Sequence, residues 1–92
     1  MAYFYILNSQ SLDGYYVGHT EQLPEERLQK HLTNHKGYTS KAKDWTIVHV
    51  EAYNTKEEAS TRERQVKAWK SKKKITELIQ NVILRSPVAH PD

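Results

Sequence analysis

Between residues 62 and 74 the chain carries seven basic side chains and one acid, Glu63. Ala59 and Val66, at i−4 and i+3 from Glu63, are candidate core positions, so on a helix Glu63 lies on or near the inward face. A carboxylate there is costly unless a charge meets it. Two partners suit it: a divalent cation such as Mg²⁺, held by one or two carboxylates with waters and a substrate phosphate, or Lys67 at i+4, a surface pair worth a few tenths of a kcal/mol. Arg27 and His31 stand one helical turn apart and project from one side. The planar fork of an arginine suits a phosphate, and a histidine can carry a proton or donate to that phosphate. Both would also serve as an ordinary exposed flank. Tyr5 and Tyr16 fall on neighbouring strands and, in the right register, share a face. Strand tyrosines usually serve a core. To take a proton from water near neutral pH, a phenol needs a cation and an arginine nearby, which pull its pKa below the free value of ~10. His31 and His35 are also spaced i, i+4, but with no third ligand at convincing spacing and no cysteine, a structural zinc site is not expected.

Several elements must position these groups. Residues 3–8 and 15–19 are aromatic and apolar and predict two strands. Residues 9–14, with Ser, Asp and Gly, predict the turn between them and so an antiparallel hairpin. Gly18 inside the second strand suggests a close backbone approach or a bulge. Pro24, followed by Glu25 and Glu26, opens a helix that should run to about Asn34 with Leu28 and Leu32 inward. Residues 35–44 predict a polar, basic loop, and residues 45–53 a third strand. Thr55 and Glu58 match a capping box for a second helix with Ala59, Val66 and Trp69 inward. Ser71 caps a third, with a stripe of Ile75, Leu78, Ile79 and Val82. The fold class is α+β: a small three-stranded antiparallel or mixed sheet flanked by helices, in the order β-β-α-β-α-α.

Ninety-two residues make one small domain, placed at residues 1–85, with a tail at 86–92 that contains two prolines and should fray. The net charge is only +3, but half of the fourteen Lys and Arg lie between residues 62 and 74, a patch suited to a phosphate backbone or simply a solvated helix surface. The chain has no cysteine, which excludes disulfides and cysteine zinc sites and suits a reducing cytoplasm. No basic, apolar leader opens the sequence, and no apolar run approaches the ~20 residues of a membrane span.

Together the motifs resemble the GIY-YIG nuclease family. Tyr3-Phe4-Tyr5 stands where the family has Gly-Ile-Tyr, and Tyr16-Val17-Gly18 where it has Tyr-Ile-Gly, with His19-Thr20 as its continuation. Arg27 falls at the family's helix arginine, and His31 at the residue four later that is often His or Tyr. Glu63 falls at the single metal-binding glutamate, in a stretch (59–67) that looks like small stand-alone members. The resemblance covers about residues 3–75 and extends to the N-terminal catalytic domain of the excinuclease ABC C subunit. Two positions depart from the pattern. The first motif lacks its glycine, and residues 72–75 read Lys-Lys-Lys-Ile where larger relatives often carry an asparagine.

The resemblance implies a β-β-α-β-α core and a divalent-metal-dependent endonuclease cutting a phosphodiester bond, in DNA rather than RNA, in a DNA-repair setting. It implies Mg²⁺ or Mn²⁺ on Glu63, Tyr5 as general base with Tyr16 positioning the water or sharing that role, Arg27 offsetting phosphate charge and His31 assisting by a hydrogen bond. His19, the loop lysines Lys36, Lys41 and Lys43, and the helix lysines Lys67, Lys70, Lys72, Lys73 and Lys74 would track the nucleic-acid backbone in a salt-sensitive, sequence-blind contact. Sequence specificity would then need a protein partner or a structure-shaped substrate. Two other readings stay open: a catalytically silent nucleic-acid-binding domain of the same fold, motivated by the missing asparagine, and a protein-interaction domain anchored by Tyr and Trp.

Overall fold

The computed structural model describes residues 1–33 and 36–85, with side-chain surroundings through Gln80. His35, whose spacing to His31 is that of a metal pair, and the expected fraying of residues 86–92 lie outside the described residues. The order is β1 (Ala2–Ser9), β2 (Gly14–Thr20), α1 (Pro24–Thr33), a 3-10 turn (Tyr38–Lys41), β3 (Thr46–Tyr53), α2 (Lys56–Ala68) and α3 (Lys72–Arg85). The β-β-α-β-α-α succession is therefore as expected from the sequence.

The three strands form one antiparallel sheet in the order β2-β1-β3. β1 is central, which explains its nearly unbroken apolar run: it is covered on both faces. Phe4 and Ile6 point to one face and pack with Val17, Val66, Trp69, Ile75, Leu78 and Ile79, the side of α2 and α3. Tyr5 and Leu7 point to the other and pack with Trp45, Leu28, Leu32 and Ile47, the side of α1. Each fully buried side chain of this size contributes about 1.5–3 kcal/mol relative to exposure.

Local chemistry sets the boundaries. Asp13 turns the β1–β2 chain in the left-handed region, at φ 53°. Asp44 fastens that turn to the approach to β3, accepting from Ser9 Oγ at 2.5 Å and from the Ser11 backbone N–H at 2.9 Å. The capping box at Thr55 and Glu58 forms as expected, and Ser71 Oγ accepts from the Lys74 N–H at 3.2 Å at the start of α3. The stretch expected to be a plain loop contains the 3-10 turn. Gly37, at φ 85°, lets its carbonyl accept from the Ser40 hydroxyl at 2.7 Å, and the Trp45 indole N–H binds the Thr39 carbonyl at 3.0 Å. Trp45 stands just before β3 and is buried.

Candidate active site at the β2 edge

β2 is an edge strand, so its alternate residues serve the two faces while its outer side is open. Tyr16 and Gly18 belong to the α1 face, Val17 and His19 to the α2 face. The residues singled out in the sequence gather around this edge from both sides.

On the α1 face, Tyr5 pairs in register with Gly18. A Cβ on Gly18 would lie 2.7 Å from the Tyr5 hydroxyl oxygen and 3.1 Å from Cε2 of Tyr16. The glycine is thus the gap through which the phenol of Tyr5 reaches toward the open edge. Tyr5 Oη and His31 Nε2 are hydrogen-bonded at 2.8 Å, and His31 Nδ1 meets Thr39 Oγ1 at 3.1 Å. The ring of Tyr16 sits edge-on to that of His31, centroids 4.7 Å apart. Burial, with the nearby Arg27 charge, lowers the His31 pKa to about 4, so the imidazole is neutral at physiological pH.

Burial, reinforced by Tyr16, pushes the Tyr5 pKa up to about 12, outweighing the hydrogen bond and charge of Arg27. The physical reason is desolvation: Tyr5 is only 1% exposed, because β1 is the central strand.

On the α2 face, Glu63 projects toward β2 as the Ala59–Val66 spacing requires, both of those residues being fully buried. Its Oε1 meets His19 Nδ1 at 2.5 Å, and its Oε2 accepts from Lys67 Nζ at 2.5 Å. Burial alone would raise the pKa of this carboxyl, but the hydrogen bonds from His19 and Lys67 hold it below the ordinary value. The charge of Glu63 is felt at Tyr5 across the edge. The carboxylate, ionised and 16% exposed, is an oxygen donor suited to a hard divalent cation. Among the described residues no cluster of three or more His, Cys, Asp or Glu could hold a metal. An ion on Glu63 would therefore draw much of its coordination from water and substrate.

The family model of the GIY-YIG catalytic domain matches residues 1–76. The chain belongs to the GIY-YIG nuclease family. No curated protein and no solved structure matches it at a significant level. Membership of this nuclease family suggests a nucleic-acid substrate, and the family generally depends on a divalent metal. The match runs from β1 into the first turn of α3.

The structure divides the basic residues of this GIY-YIG domain. Lys67, Lys70 and Lys72 line, with Tyr16 and Tyr38, a groove of about 330 Å³ beside the edge. Lys72 also pairs with Asp13 at 2.7 Å. Lys73 and Lys74, both exposed, instead border shallow depressions shared with Glu77. Lys41 lies over the Tyr38 ring at 5.7 Å, Lys43 Nζ donates to the Leu32 carbonyl at 2.9 Å, and Lys36 is exposed. His19, expected to track the nucleic-acid backbone, is hydrogen-bonded to the Glu63 carboxylate. Thr39, buried behind His31, was not singled out in the sequence; a threonine in a polar loop carries no signal of that role. Among the described residues no helix is long and apolar enough to cross a membrane.

Proposed function

We propose that this domain is an endonuclease that hydrolyses a phosphodiester bond in DNA with Mg²⁺ or Mn²⁺. The observation that carries this reading is the convergence at Gly18. Tyr5, Tyr16, Arg27 and a neutral His31 stand on one side of the β2 edge, and an ionised Glu63 on the other.

Glu63 would hold the metal. When bound, the ion supplies a Lewis acid for the scissile phosphate and its leaving oxygen. The remaining chemistry belongs to the chain. Tyr5 donates its hydroxyl proton to His31 Nε2, while His31 Nδ1–H donates to Thr39; with Arg27 donating to one lone pair of the phenol oxygen, the other is left for a water. As that oxygen takes the proton of the attacking water, its own proton passes to Nε2, so no free phenolate has to form in advance. A phosphate seated on Arg27 offsets the charge that depresses His31 and makes the imidazole a better acceptor. Tyr16, more open than Tyr5, orients the water or shares this role. Lys67, Lys70 and Lys72 track the backbone along the groove. The same reading puts the protein in the cytoplasm, in DNA repair, with specificity left to a protein partner or to the shape of the substrate.

The burial of Tyr5 favours a second reading, a silent nucleic-acid binder of the same fold. Nicking of supercoiled plasmid at low salt, with Mn²⁺, Mg²⁺ or EDTA, separates the two. The nuclease reading expects metal-dependent nicking that is abolished in Glu63→Ala and falls about 10²–10⁴-fold in Tyr5→Phe. Salt-sensitive binding to duplex, branched and single-stranded DNA and to RNA, without cutting of any of them, would establish the silent binder.

A further inference from the structure

We propose that His19 is a second protein ligand of the divalent ion, so that the centre is a mixed nitrogen–oxygen site that prefers Mn²⁺ to Mg²⁺. This rests on the reading of Glu63 as the metal carboxylate and deepens it.

The geometry comes from the strand and the helix together. His19 lies in register opposite Phe4, so β-strand alternation turns it to the α2 face. There its Nδ1 and Glu63 Oε1 are hydrogen-bonded at 2.5 Å. These two atoms are the two donor types a borderline metal takes: an imidazole nitrogen and a carboxylate oxygen. Adjacent ligands on one ion, each about 2.1 Å from it, lie roughly 3 Å apart. Replacing the hydrogen bond by a common cation therefore asks the pair to open by only about half an ångström, well within reach of two side-chain torsions.

The surroundings support exchange. His19 and Glu63 side chains are 26% and 16% exposed, so water and a hydrated ion can reach them. The other carboxylate oxygen is held by Lys67, whose side chain is 53% exposed and free to turn its ammonium toward an incoming phosphate. The carboxylate thus already sits between an imidazole nitrogen and an ammonium, and the ammonium can turn away while the imidazole stays. A ring nitrogen in the set weakens the site for Mg²⁺, which demands oxygen and gives up water reluctantly, and strengthens it for Mn²⁺.

Mn²⁺ binding followed by electron paramagnetic resonance tests this without reference to cutting. Pulsed measurements on the Mn²⁺-loaded protein should show ¹⁴N modulation from a directly bound imidazole. That modulation should convert to the ¹⁵N pattern when the protein is grown with ¹⁵N-histidine, a substitution-free readout. In His19→Ala the nitrogen signal should vanish and the Mn²⁺ Kd rise at least roughly tenfold, the loss found even for a partner one shell further out. The preference for Mn²⁺ over Mg²⁺ in competition should shrink with it. Glu63-dependent Mn²⁺ binding with no histidine modulation, or with modulation that survives in His19→Ala, would overturn the role of His19 while leaving Glu63 as the metal carboxylate. Absence of any Glu63-dependent Mn²⁺ binding would overturn both.

Discussion

Two carboxylates flank the contact between α2 and the sheet, one on β3 and one on α2 itself, and they are held in different ways. Glu51, on β3, is enclosed by fixed donors. His49 Nε2 lies 2.8 Å away, the Tyr53 hydroxyl donates at 2.6 Å, and Arg62 donates through Nε and Nη2 at 3.0 and 3.3 Å. Arg62 is itself sandwiched against the rings of Phe4 and Trp69, at 5.7 and 5.8 Å. Burial alone would raise the pKa of Glu51, yet these donors bring it down to about 2. Glu63, the next residue along α2 after Arg62, points to the other edge, where one imidazole and one exposed lysine are its partners. A carboxylate whose lone pairs are taken by donors that cannot leave is a clamp. One whose partners can be displaced is a site. α2 uses Arg62 to lock its rotation on β3 and thereby aims Glu63 at β2.

The largest test of this contrast exchanges the two losses. Glu63→Ala should remove metal-dependent cutting while chemical denaturation finds a smaller loss of stability than for Glu51→Ala, since its partners are one imidazole and one lysine that is 53% exposed. Glu51→Ala should do the reverse. Leaving His49, Tyr53 and Arg62 without their common acceptor should cost about 2–3 kcal/mol of unfolding free energy, while the folded fraction still cuts. A Glu51→Ala protein that is folded but inactive, or a Glu63→Ala protein that is equally destabilised, would erase the distinction.

The second test compares two glycines on β2. A Cβ on Gly18 would meet the Tyr5 hydroxyl at 2.7 Å, and one on Gly14 would meet the Tyr38 hydroxyl at 2.6 Å. The distances are alike, but the tyrosines are not. Tyr38 is 42% exposed and can swing clear, whereas Tyr5 is enclosed and tied to His31. Gly18→Ala should therefore lower cutting by on the order of 10²-fold, the loss expected when a reacting group is displaced by about 1 Å, with Gly14→Ala near wild type in the same nicking assay. Equal losses would mean that Gly18 serves the strand and not the phenol.

Much of this arrangement was legible in the sequence, and the boundary of what was legible has a physical origin. Strand and helix periodicities placed the elements, and the capping box fixed the start of α2, because those signals are local. The inward lean of Glu63 followed from Ala59 and Val66 alone. The depth of Tyr5 and His31 did not, since it depends on β1 being the central strand and on the 3-10 turn closing over α1. His31 ends up more buried than Leu28 and Leu32 beside it, the inverse of what hydropathy suggests. The Glu51 clamp was equally hidden, because alternation along β3 does not reveal that Arg62 will lie across it. Nor could the pairing of His19 with Glu63 be read without knowing which face of the hairpin α2 covers.

The smallest and finest test uses acid. His31 has a folded pKa of about 4 against 6.5 for the free side chain, so between those values the unfolded chain binds a proton that the folded chain refuses. Its contribution to stability is complete above pH 6.5 and is lost as pH falls to about 4. Glu51, at about 2 against 4.5, contributes fully above pH 4.5 and loses that contribution as pH falls toward 2. Thermal midpoints followed by circular dichroism should therefore decline in two successive limbs. His31→Gln should flatten the upper one and Glu51→Gln the lower. Glu63→Gln should leave most of the lower limb in place, because Glu63 is held down by fewer donors, one of them an exposed lysine. If the lower limb instead disappeared with Glu63 and survived the loss of Glu51, the clamp and the site would have to change places.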